Sequence, residues 1–281
     1  MEQTGNNRAR EAEESILGPF RESIWEPFLA GMARYRLVEP GDRIAVCISG
    51  GKDSMLLAVL TRMARQMGLF PAEAVWLVMD PGYHPENRAR VEENARLLEI
   101  PCTFFDSDIF AVANAQEKNP CFLCAKMRRG HLYSKARELG CNKIALGHHR
   151  NDVIETTLLS MLYGAQLQAM PPKLQAANFP GMALIRPLFL VREEAIKAWR
   201  DRNGLSFLQC ACRFTEASQN SSKRREVKAL IARLRQEDPL VEDHLFESLH
   251  SLRRETFPGW KTGGVLHTFP DRPDTGGESR T

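Results

Sequence analysis

One short stretch, residues 43–54, constrains the fold of this chain more than any other, and it reads RIAVCISGGKDS. Residues 44–48 form an apolar run with β-branched side chains, which is typical of a buried parallel strand. The turn at residues 49–54 follows, and an apolar run that favours a helix begins at Met55. This order places unpaired backbone N–H groups and the positive end of a helix dipole beside the turn. The stretch therefore predicts a phosphate-binding loop at the end of a strand.

Each residue type in this turn suits a nucleotide phosphate. Gly50 and Gly51 let the backbone approach a phosphate without an obstructing Cβ, and Lys52 adds a positive charge. Asp53 can hold the Mg²⁺ that accompanies a nucleotide. Hydroxyl groups come from Ser49 and Ser54. The alternative is an ordinary Gly-Gly turn with a surface Lys–Asp pair, but the flanking strand and helix are the context that a phosphate loop requires.

Two better-known phosphate loops are excluded. The Walker loop requires a glycine at the position that Val46 occupies, and the three-glycine dinucleotide fingerprint is absent from this stretch. The sequence SGGKDS instead resembles the PP loop of N-type ATP pyrophosphatases. That resemblance implies a protein that binds ATP, adenylates an oxygen of its substrate and releases pyrophosphate.

Strand and helix patterns alternate along the chain. Strands are predicted at residues 44–48, 74–80, 102–105, 143–147 and 183–188. Helices are predicted at residues 85–98, 129–139, 153–163, 193–202, 223–236 and 240–254. This alternation predicts an α/β fold with a parallel five-stranded doubly wound sheet and helical N- and C-terminal additions. Ligands of such sheets bind at the carboxyl ends of strands, where SGGKDS and residues 147–149 are expected.

The 281 residues predict one large domain, either alone or with a small appendage. Residues 1–39 form an N-terminal helical segment, in which residues 1–14 are loosely ordered and residues 15–35 make one amphipathic helix. Residues 40–257 form the PP-loop domain, and residues 258–281, rich in Gly, Pro, Asp and Thr, form a disordered tail. With no long apolar run and no signal core, the protein is expected in the cytoplasm and away from membranes.

Four of the seven cysteines form two close pairs. Cys121 and Cys124 have C-x-x-C spacing just before a predicted helix, and Cys210 and Cys212 form a later C-x-C. Zinc, an iron–sulfur cluster and a redox pair all use such thiols, so the spacing alone leaves the three open. Small buried side chains are expected at the other positions, which are Cys47, Cys102 and Cys141.

Several motifs follow SGGKDS in a fixed order. They are PCFLCAKMRRG, LGHHRNDVIETTLLSMLYG, MPPK, IRPL and the late cysteine pair. Together they resemble the tRNA 2-thiocytidine synthetase family over residues 15–235. That family holds a [4Fe–4S] cluster on three cysteines, which correspond here to Cys121, Cys124 and Cys210. Because the family's later pair is usually CxxC and this chain has C-x-C, Cys212 is the alternative third ligand.

Other candidate site residues lie near the ends of predicted strands. Asp80 and His148 are assigned to ATP binding, and only one of His148 and His149 is expected to reach the site because neighbours in a strand point in opposite directions. Asp152 either caps the helix that follows or faces the ATP phosphates through Mg²⁺, and the family pattern favours the second role. With Lys52 and Asp53 it completes the predicted catalytic set. Arg186 either meets a phosphate or is an exposed charge.

Basic residues flank both cysteine segments, where a polyanion would dock. The residues assigned to tRNA binding are Lys126, Arg128, Arg129, Lys173, Arg186 and Arg213. A solvated helix face is the alternative for any single charge among them.

The resemblance implies an ATP-dependent tRNA thiolase that adenylates O2 of an anticodon-loop cytidine and replaces it with sulfur. It implies ATP, Mg²⁺ and a [4Fe–4S] cluster as cofactors. Its expected partners are tRNA and a sulfur donor such as a cysteine desulfurase, and a homodimer is compatible with the N-terminal helix. Two alternatives remain, namely a lysidine synthetase-type ligase without a cluster and an RNA-binding protein with structural zinc.

Overall fold

The computed structural model describes residues 2–107, 109, 120–208 and 219–268, with the side chains of residues 2–6, 120–126 and 219–222 outside that description. Its centre is a sheet whose strand order is β3-β2-β1-β4-β6-β5. The strands are β1 (Arg43–Ile48), β2 (Glu73–Asp80), β3 (Cys102–Asp106), β4 (Lys143–Ala145), β5 (Lys173–Gln175) and β6 (Ala183–Ile185). Five are parallel, as predicted, which confirms the doubly wound α/β class. The sixth, β5, is an antiparallel edge strand that begins at Lys173, the last residue of the MPPK motif.

Helices cover both faces of this sheet. The helices are α1 (Glu2–Leu17), α2 (Glu26–Arg34), α3 (Lys52–Gln66), α4 (Pro85–Leu97), α5 (Pro120–Glu138), α6 (Arg150–Gly164), α7 (Glu193–Arg202), α8 (Gln219–Glu237) and α9 (Val241–Ser248). A π-helical turn, Arg21–Trp25, joins α1 to α2, and a short 3₁₀ helix, Arg254–Thr256, follows α9. None of the helices among the described residues is both long and apolar enough to span a lipid bilayer.

Strand β1 is buried on both of its faces after its first residue. Ile44, Val46 and Ile48 pack in the cluster that contains the apolar face of α3. Ala45 and Cys47 alternate with them and pack on the opposite face. The PP-loop turn therefore starts from a strand held on two sides, which fixes the position of its first residues.

The N-terminal region differs from the prediction in two ways. Helix α1 begins at Glu2, so residues 2–14 are helical rather than loosely ordered. The predicted single helix at residues 15–35 is interrupted after Leu17, because Pro19 disfavours helical backbone at Gly18 and cannot donate a backbone hydrogen bond. Ile16 and Phe28, on the two sides of this break, still pack in one cluster.

Two further differences concern the second half of the chain. The prediction of a disordered tail was wrong for residues 259–268, which form a hairpin of β7 (Gly259–Thr262) and β8 (Val265–Thr268). Its two-residue turn is Gly263-Gly264, and both glycines have positive φ, the conformation that a tight hairpin turn requires. Helix α5 starts at Pro120 rather than at Arg129, and α9 ends at Ser248. Residues 269–281 lie outside the described residues.

A buried ion pair anchors the start of β1 to β4. Lys143 is 4% exposed and Asp42 is 7% exposed, and the Lys143 ammonium group donates to the Asp42 carboxylate. Asn142 also donates to Asp42, at 2.8 Å. Burial acts to raise the pKa of Asp42, but these hydrogen bonds outweigh it and lower the pKa.

We expect Asp42→Asn to lower the free energy of unfolding by about 3 kcal/mol, because it leaves Lys143 buried without its main counter-charge. Urea unfolding at pH 7 measures this effect. The matched control is Glu39→Gln, since Glu39 also contacts Lys143, at 3.3 Å, but its side chain is 57% exposed. That control should cost much less, because ion pairs of exposed side chains contribute little to stability. Equal losses for both variants would contradict the structural role of the buried pair.

Candidate active site

The PP loop closes on itself through Ser54. The Ser54 hydroxyl donates to the Gly51 carbonyl at 2.9 Å and accepts from the Ser49 backbone N–H at 3.1 Å. The Ser49 hydroxyl oxygen lies 3.2 Å from the Ser54 hydroxyl oxygen. Gly51 is the N-cap of α3 and provides no side-chain cap. The first N–H groups of α3 are therefore available to an anion, as the sequence predicts.

Gly50 is required by its surroundings as well as by its backbone. Its φ is +81°, and a Cβ at this position would lie 2.6 Å from Val91 Cγ2 and 3.0 Å from Leu208 Cδ1. The Leu208 N–H also donates to the Gly50 carbonyl at 3.1 Å. The segment that leads to Cys210 thus contacts the PP loop two residues before that cysteine.

Gly147, which the sequence places at the ligand-binding edge of the sheet without a role of its own, brings the end of β4 against the PP loop. A Cβ on Gly147 would lie 2.9 Å from Asp53 C and 2.9 Å from Ser54 N, both of them backbone atoms. Backbone atoms cannot move aside as the end of a flexible side chain can. Glycine at this position therefore sets the distance between β4 and the first turn of α3.

Lys52 lies between two carboxylates. Its ammonium group is 3.0 Å from Asp53 Oδ1 and 3.1 Å from Glu193 Oε1. Burial acts to lower the pKa of Lys52, but Asp53 and Glu193 outweigh it and raise the pKa. The lysine is thus held in its charged form at the end of the sheet. Glu193, the first residue of α7, is a site residue that the sequence analysis missed.

His149 caps α6 and faces both predicted catalytic aspartates. Its Nδ1 accepts from the Asp152 N–H at 3.4 Å, and Asp152 Oδ2 accepts from the His149 N–H at 3.1 Å. Asp152 is therefore the third helical residue in a capping box, not the N-cap. His149 Nε2 lies 3.7 Å from Asp53 Oδ1 and 3.5 Å from Asp152 Oδ2. Two carboxylates converge here, and carboxylate oxygens are the donors that Mg²⁺ prefers.

His148 faces a different set of groups. Burial lowers the pKa of His148 to about 4; Asp152 opposes this shift, and Arg186 and Arg224 reinforce it. Its Nδ1 is buried and has no hydrogen-bond partner among the described residues. Arg186 is itself 7% exposed and donates to the Pro171 carbonyl, so it is not the exposed charge that one reading expected. His148 is thus a neutral ring beside two arginines.

Asp80 organises the loop after β2. Its Oδ1 accepts from the backbone N–H groups of Gly82 and Tyr83, and its Oδ2 lies 2.9 Å from Arg88. Burial acts to raise the pKa of Asp80, but these donors outweigh it and lower the pKa. The loop carries Tyr83, whose hydroxyl donates to the Ser49 carbonyl at 3.2 Å. Asp80 therefore supports the PP loop through Tyr83.

The predicted tRNA-binding residues have different surroundings. Arg128, on α5, hydrogen-bonds the hydroxyl of Tyr83, and Arg129 is exposed. Lys173 donates to the Arg36 carbonyl and lies 3.4 Å from Glu39, so it is engaged within the fold. The side chain of Lys126, and Arg213, lie outside the described residues.

The paired cysteines have no described side chains. Cys121 and Cys124 occupy the first turn of α5, rather than preceding a helix, and their side chains are not described. Cys210 and Cys212 lie outside the described residues. Cys47 and Cys141 are buried free thiols and Cys102 is partly buried, as predicted for small core side chains. Burial raises the pKa of Cys47 and of Cys102 to about 12, which suits inert thiols.

Asn151, Glu155 and Glu193 connect the helices around this site. Asn151 Oδ1 accepts from the Glu193 N–H at 2.9 Å and so joins α6 to α7. Glu155 is 3% exposed and lies 3.4 Å from Lys228 of α8. Of these three residues, only Glu193 has a feature that can be recognised in the sequence, namely an acidic side chain at the start of a predicted helix. The identity of its partners depends on tertiary contacts.

Comparisons with known proteins agree on one family. The PP-loop domain family matches residues 27–227. A tRNA-cytidine(32) 2-sulfurtransferase of Anaeromyxobacter dehalogenans is 37% identical over 219 residues, covering 76% of this chain and 74% of the relative. One of Syntrophotalea carbinolica is 35% identical over 222 residues, covering 78% of this chain and 85% of the relative.

A solved structure has a similar fold. It is the U34-tRNA thiolase NcsA from Methanococcus maripaludis with its [4Fe-4S] cluster, and it superimposes with a TM-score of 0.65. The match covers 84% of this chain and 80% of that chain at 20% identity.

We expect Gly147→Ala to weaken ATP binding at least about tenfold, because a methyl group would displace the first turn of α3, and to cost about 1–3 kcal/mol of stability. Titration calorimetry and urea unfolding measure the two effects. The matched control is Gly130→Ala in α5, where a Cβ meets no atom of the described residues within 4 Å. Gly130→Ala should leave ATP affinity unchanged. Wild-type affinity in Gly147→Ala would contradict the steric argument.

The neutral His148 predicts a pH dependence of stability. Its pKa is about 4 in the folded protein against 6.5 for the free side chain, so the unfolded chain binds more protons between these values. The free energy of unfolding should therefore fall as the pH is lowered from 6.5 towards 4. His148→Gln should remove this part of the slope, whereas the exposed control His131→Gln should keep it. Parallel slopes for all three proteins in urea unfolding would refute the assignment.

Proposed function

This chain belongs to the PP-loop family that contains the tRNA-cytidine(32) 2-sulfurtransferases, and we propose that it uses ATP to replace O2 of cytidine 32 in the tRNA anticodon loop with sulfur. The substrate is a base in a single-stranded loop, which costs little to splay into a pocket. The reaction needs two functions from the protein, namely activation of O2 and delivery of sulfur to C2.

Activation of O2 is assigned to the PP loop. O2 of cytidine is a poor leaving group, and its attack on the α-phosphorus of ATP converts it into an adenylate and releases pyrophosphate. The free N–H groups at the start of α3 and the ammonium group of Lys52 would stabilise the negative charge on the phosphates. Both lie at the carboxyl end of β1, where the fold predicts a ligand.

Mg²⁺ is assigned to Asp53 and Asp152. The donor set fits, since both carboxylates lie within 4 Å of one ring nitrogen, His149 Nε2, and Asp53 Oδ1 is a buried oxygen whose nearest charged neighbour is the Lys52 ammonium group, 3.0 Å away. A divalent ion on these oxygens would neutralise phosphate charge. The imidazole of His149, which lies near both carboxylates, would keep them in position.

Sulfur delivery is assigned to a [4Fe–4S] cluster on Cys121, Cys124 and Cys210, with Cys212 as the alternative third ligand. Three thiolates are a soft donor set that suits such a cluster and leaves one iron free to carry sulfide. The chain's own contribution is to hold these thiols beside the adenylation site and to exclude water from the reacting base.

One observation carries this proposal, namely that both cysteine segments are tied to the PP loop. Leu208 donates to the Gly50 carbonyl, and covalent geometry limits the Cα separation between Leu208 and Cys210 to about 7 Å. Helix α5, whose first turn contains Cys121 and Cys124, contacts Tyr83 through Arg128, and Tyr83 donates to the Ser49 carbonyl. Activation and sulfur delivery can therefore act on the same base.

The remaining partners follow from this chemistry. We expect tRNA phosphates to dock on Lys126, Arg128, Arg129 and Arg213, because Lys173 and Arg186 donate to backbone carbonyl groups of the fold, whereas the contact of Arg128 is a tyrosine hydroxyl. Sulfide must come from a donor such as a cysteine desulfurase. We place the reaction in the cytoplasm and include a homodimer as the expected assembly.

The test is the metal content of the anaerobically purified protein together with AMP formation and tRNA thiolation. We expect about four irons and four sulfides per chain, lost in Cys121→Ala, Cys124→Ala and one of Cys210→Ala and Cys212→Ala. Cys102→Ala, in the core, is the matched control and should keep the cluster. Lys52→Ala should abolish AMP formation and leave the iron in place. Bound zinc would favour an RNA-binding protein, and AMP formation without any metal would favour a lysidine synthetase-type ligase.

A further inference from the structure

Glu193 is surrounded by three lysines from three different helices. Its Oε1 lies 3.1 Å from Lys52 Nζ of α3, and its Oε2 lies 2.8 Å from Lys197 Nζ of α7 and 3.7 Å from Lys228 Nζ of α8. The Glu193 side chain is 14% exposed. Burial acts to raise its pKa, but the lysines outweigh it and lower the pKa to about 2. Glu193 therefore stays negatively charged at any pH at which the enzyme works.

This charge is in the wrong place for a nucleotide. Lys52 is the ammonium group assigned to the phosphates, and Glu193 occupies one side of it. A triphosphate that approaches Lys52 would meet the carboxylate at close range, and like charges in a partly buried site repel strongly. Release of Lys52 by the carboxylate would relieve this repulsion and turn the ammonium group towards the phosphates.

Lys228 can receive the released carboxylate. It already lies 3.7 Å from Glu193 Oε2 and 3.4 Å from Glu155 Oε1, and its side chain is 45% exposed, which leaves it room to move. Glu155 is 3% exposed, and its Oε2 has no hydrogen bond among the described residues, although Arg224 lies 3.5 Å away. The ion pairs that join Lys228 and Arg224 of α8 to Glu155 and Glu193 are thus longer than a close ion pair, so α8 can move nearer to the site.

We infer that Glu193 is a positioning residue that exchanges Lys52 for Lys228 when ATP binds, and thereby draws α8 towards the PP loop. The inference rests on the proposed function, because it requires ATP at the PP loop. Helix α8 begins at Gln219 and follows the segment that carries Cys210 and Cys212. ATP binding would in this way be coupled to the position of the late cysteine pair, so that sulfur delivery is aligned only when the nucleotide is present.

The exchange predicts that affinity and turnover move in opposite directions in Glu193→Gln. The neutral amide no longer competes for Lys52, so ATP should bind about fivefold more tightly, and its KM should fall. The amide also no longer draws Lys228, so kcat for thiolation should fall at least about fivefold. Glu194→Gln is the matched control, because the neighbouring Glu194 pairs with Arg235, and its kinetic constants should equal those of the wild type.

Lys228→Met tests the second half of the exchange on a surface residue. It should weaken ATP binding by about twofold to fivefold, because the released carboxylate no longer gains Lys228, and it should lower kcat, because α8 is not drawn in. Hydrogen exchange at residues 223–237 provides an independent measurement. ATP should slow amide exchange in the wild type and in Glu194→Gln, but not in Glu193→Gln or Lys228→Met.

Three results would overturn the inference. They are weaker ATP binding in Glu193→Gln, an unchanged kcat in Lys228→Met, and an equal effect of ATP on amide exchange in all four proteins. If Glu193→Gln does not fold, the kcat of Lys228→Met and the effect of ATP on amide exchange in the other three proteins still decide. Failure of the wild type to bind ATP would refute the proposed function instead, so the two failures are distinguishable.

Discussion

The close approach of β4 to the first turn of α3 is the constraint on which the site depends. It is possible only because Gly147 has no Cβ, since any side chain would overlap the backbone of Asp53 and Ser54. Gly50 plays a similar part on the other side of the loop, where Val91 and Leu208 leave no room for a methyl group. Glycine at these two positions thus allows the PP loop, the end of β4 and the segment at Leu208 to lie in close contact. The packing density of protein interiors makes such contacts rigid rather than adjustable.

Electrostatics then selects the state of each functional group. Lys52 is kept charged by its carboxylate neighbours, Glu193 is kept charged by lysines, and His148 is kept neutral by burial. These opposite outcomes arise within one small region because each group has different neighbours, and not because the region is uniformly polar or apolar. A site of this kind can bind a polyanionic nucleotide and still contain a neutral imidazole next to it.

The sequence predicted the local parts of this arrangement well. SGGKDS specified its strand, turn and helix because all three depend on neighbouring residues, and the alternation of apolar runs specified the five parallel strands. It did not specify β5, whose three residues pair with a strand that comes later in the chain. It missed Glu193, and it located Gly147 at the ligand-binding edge without its steric role, since a charge partner and a backbone contact between distant segments leave no periodic signal. The order of residues 2–14 was missed for a related reason, because α1 is stabilised by packing of Ala12 and Ile16 in the core.

The antiparallel strand β5 has a consequence for how copies of this protein meet. A sheet edge normally offers a row of backbone donors and acceptors to any strand that comes near. Here the last strand is three residues long and begins with Lys173, which is already paired with Glu39. Short, lysine-bearing edge strands are poor templates for further pairing. When many copies of the protein are present at high concentration, this edge therefore offers few backbone groups for pairing between copies. The β5 edge is in this way protected against strand-to-strand aggregation.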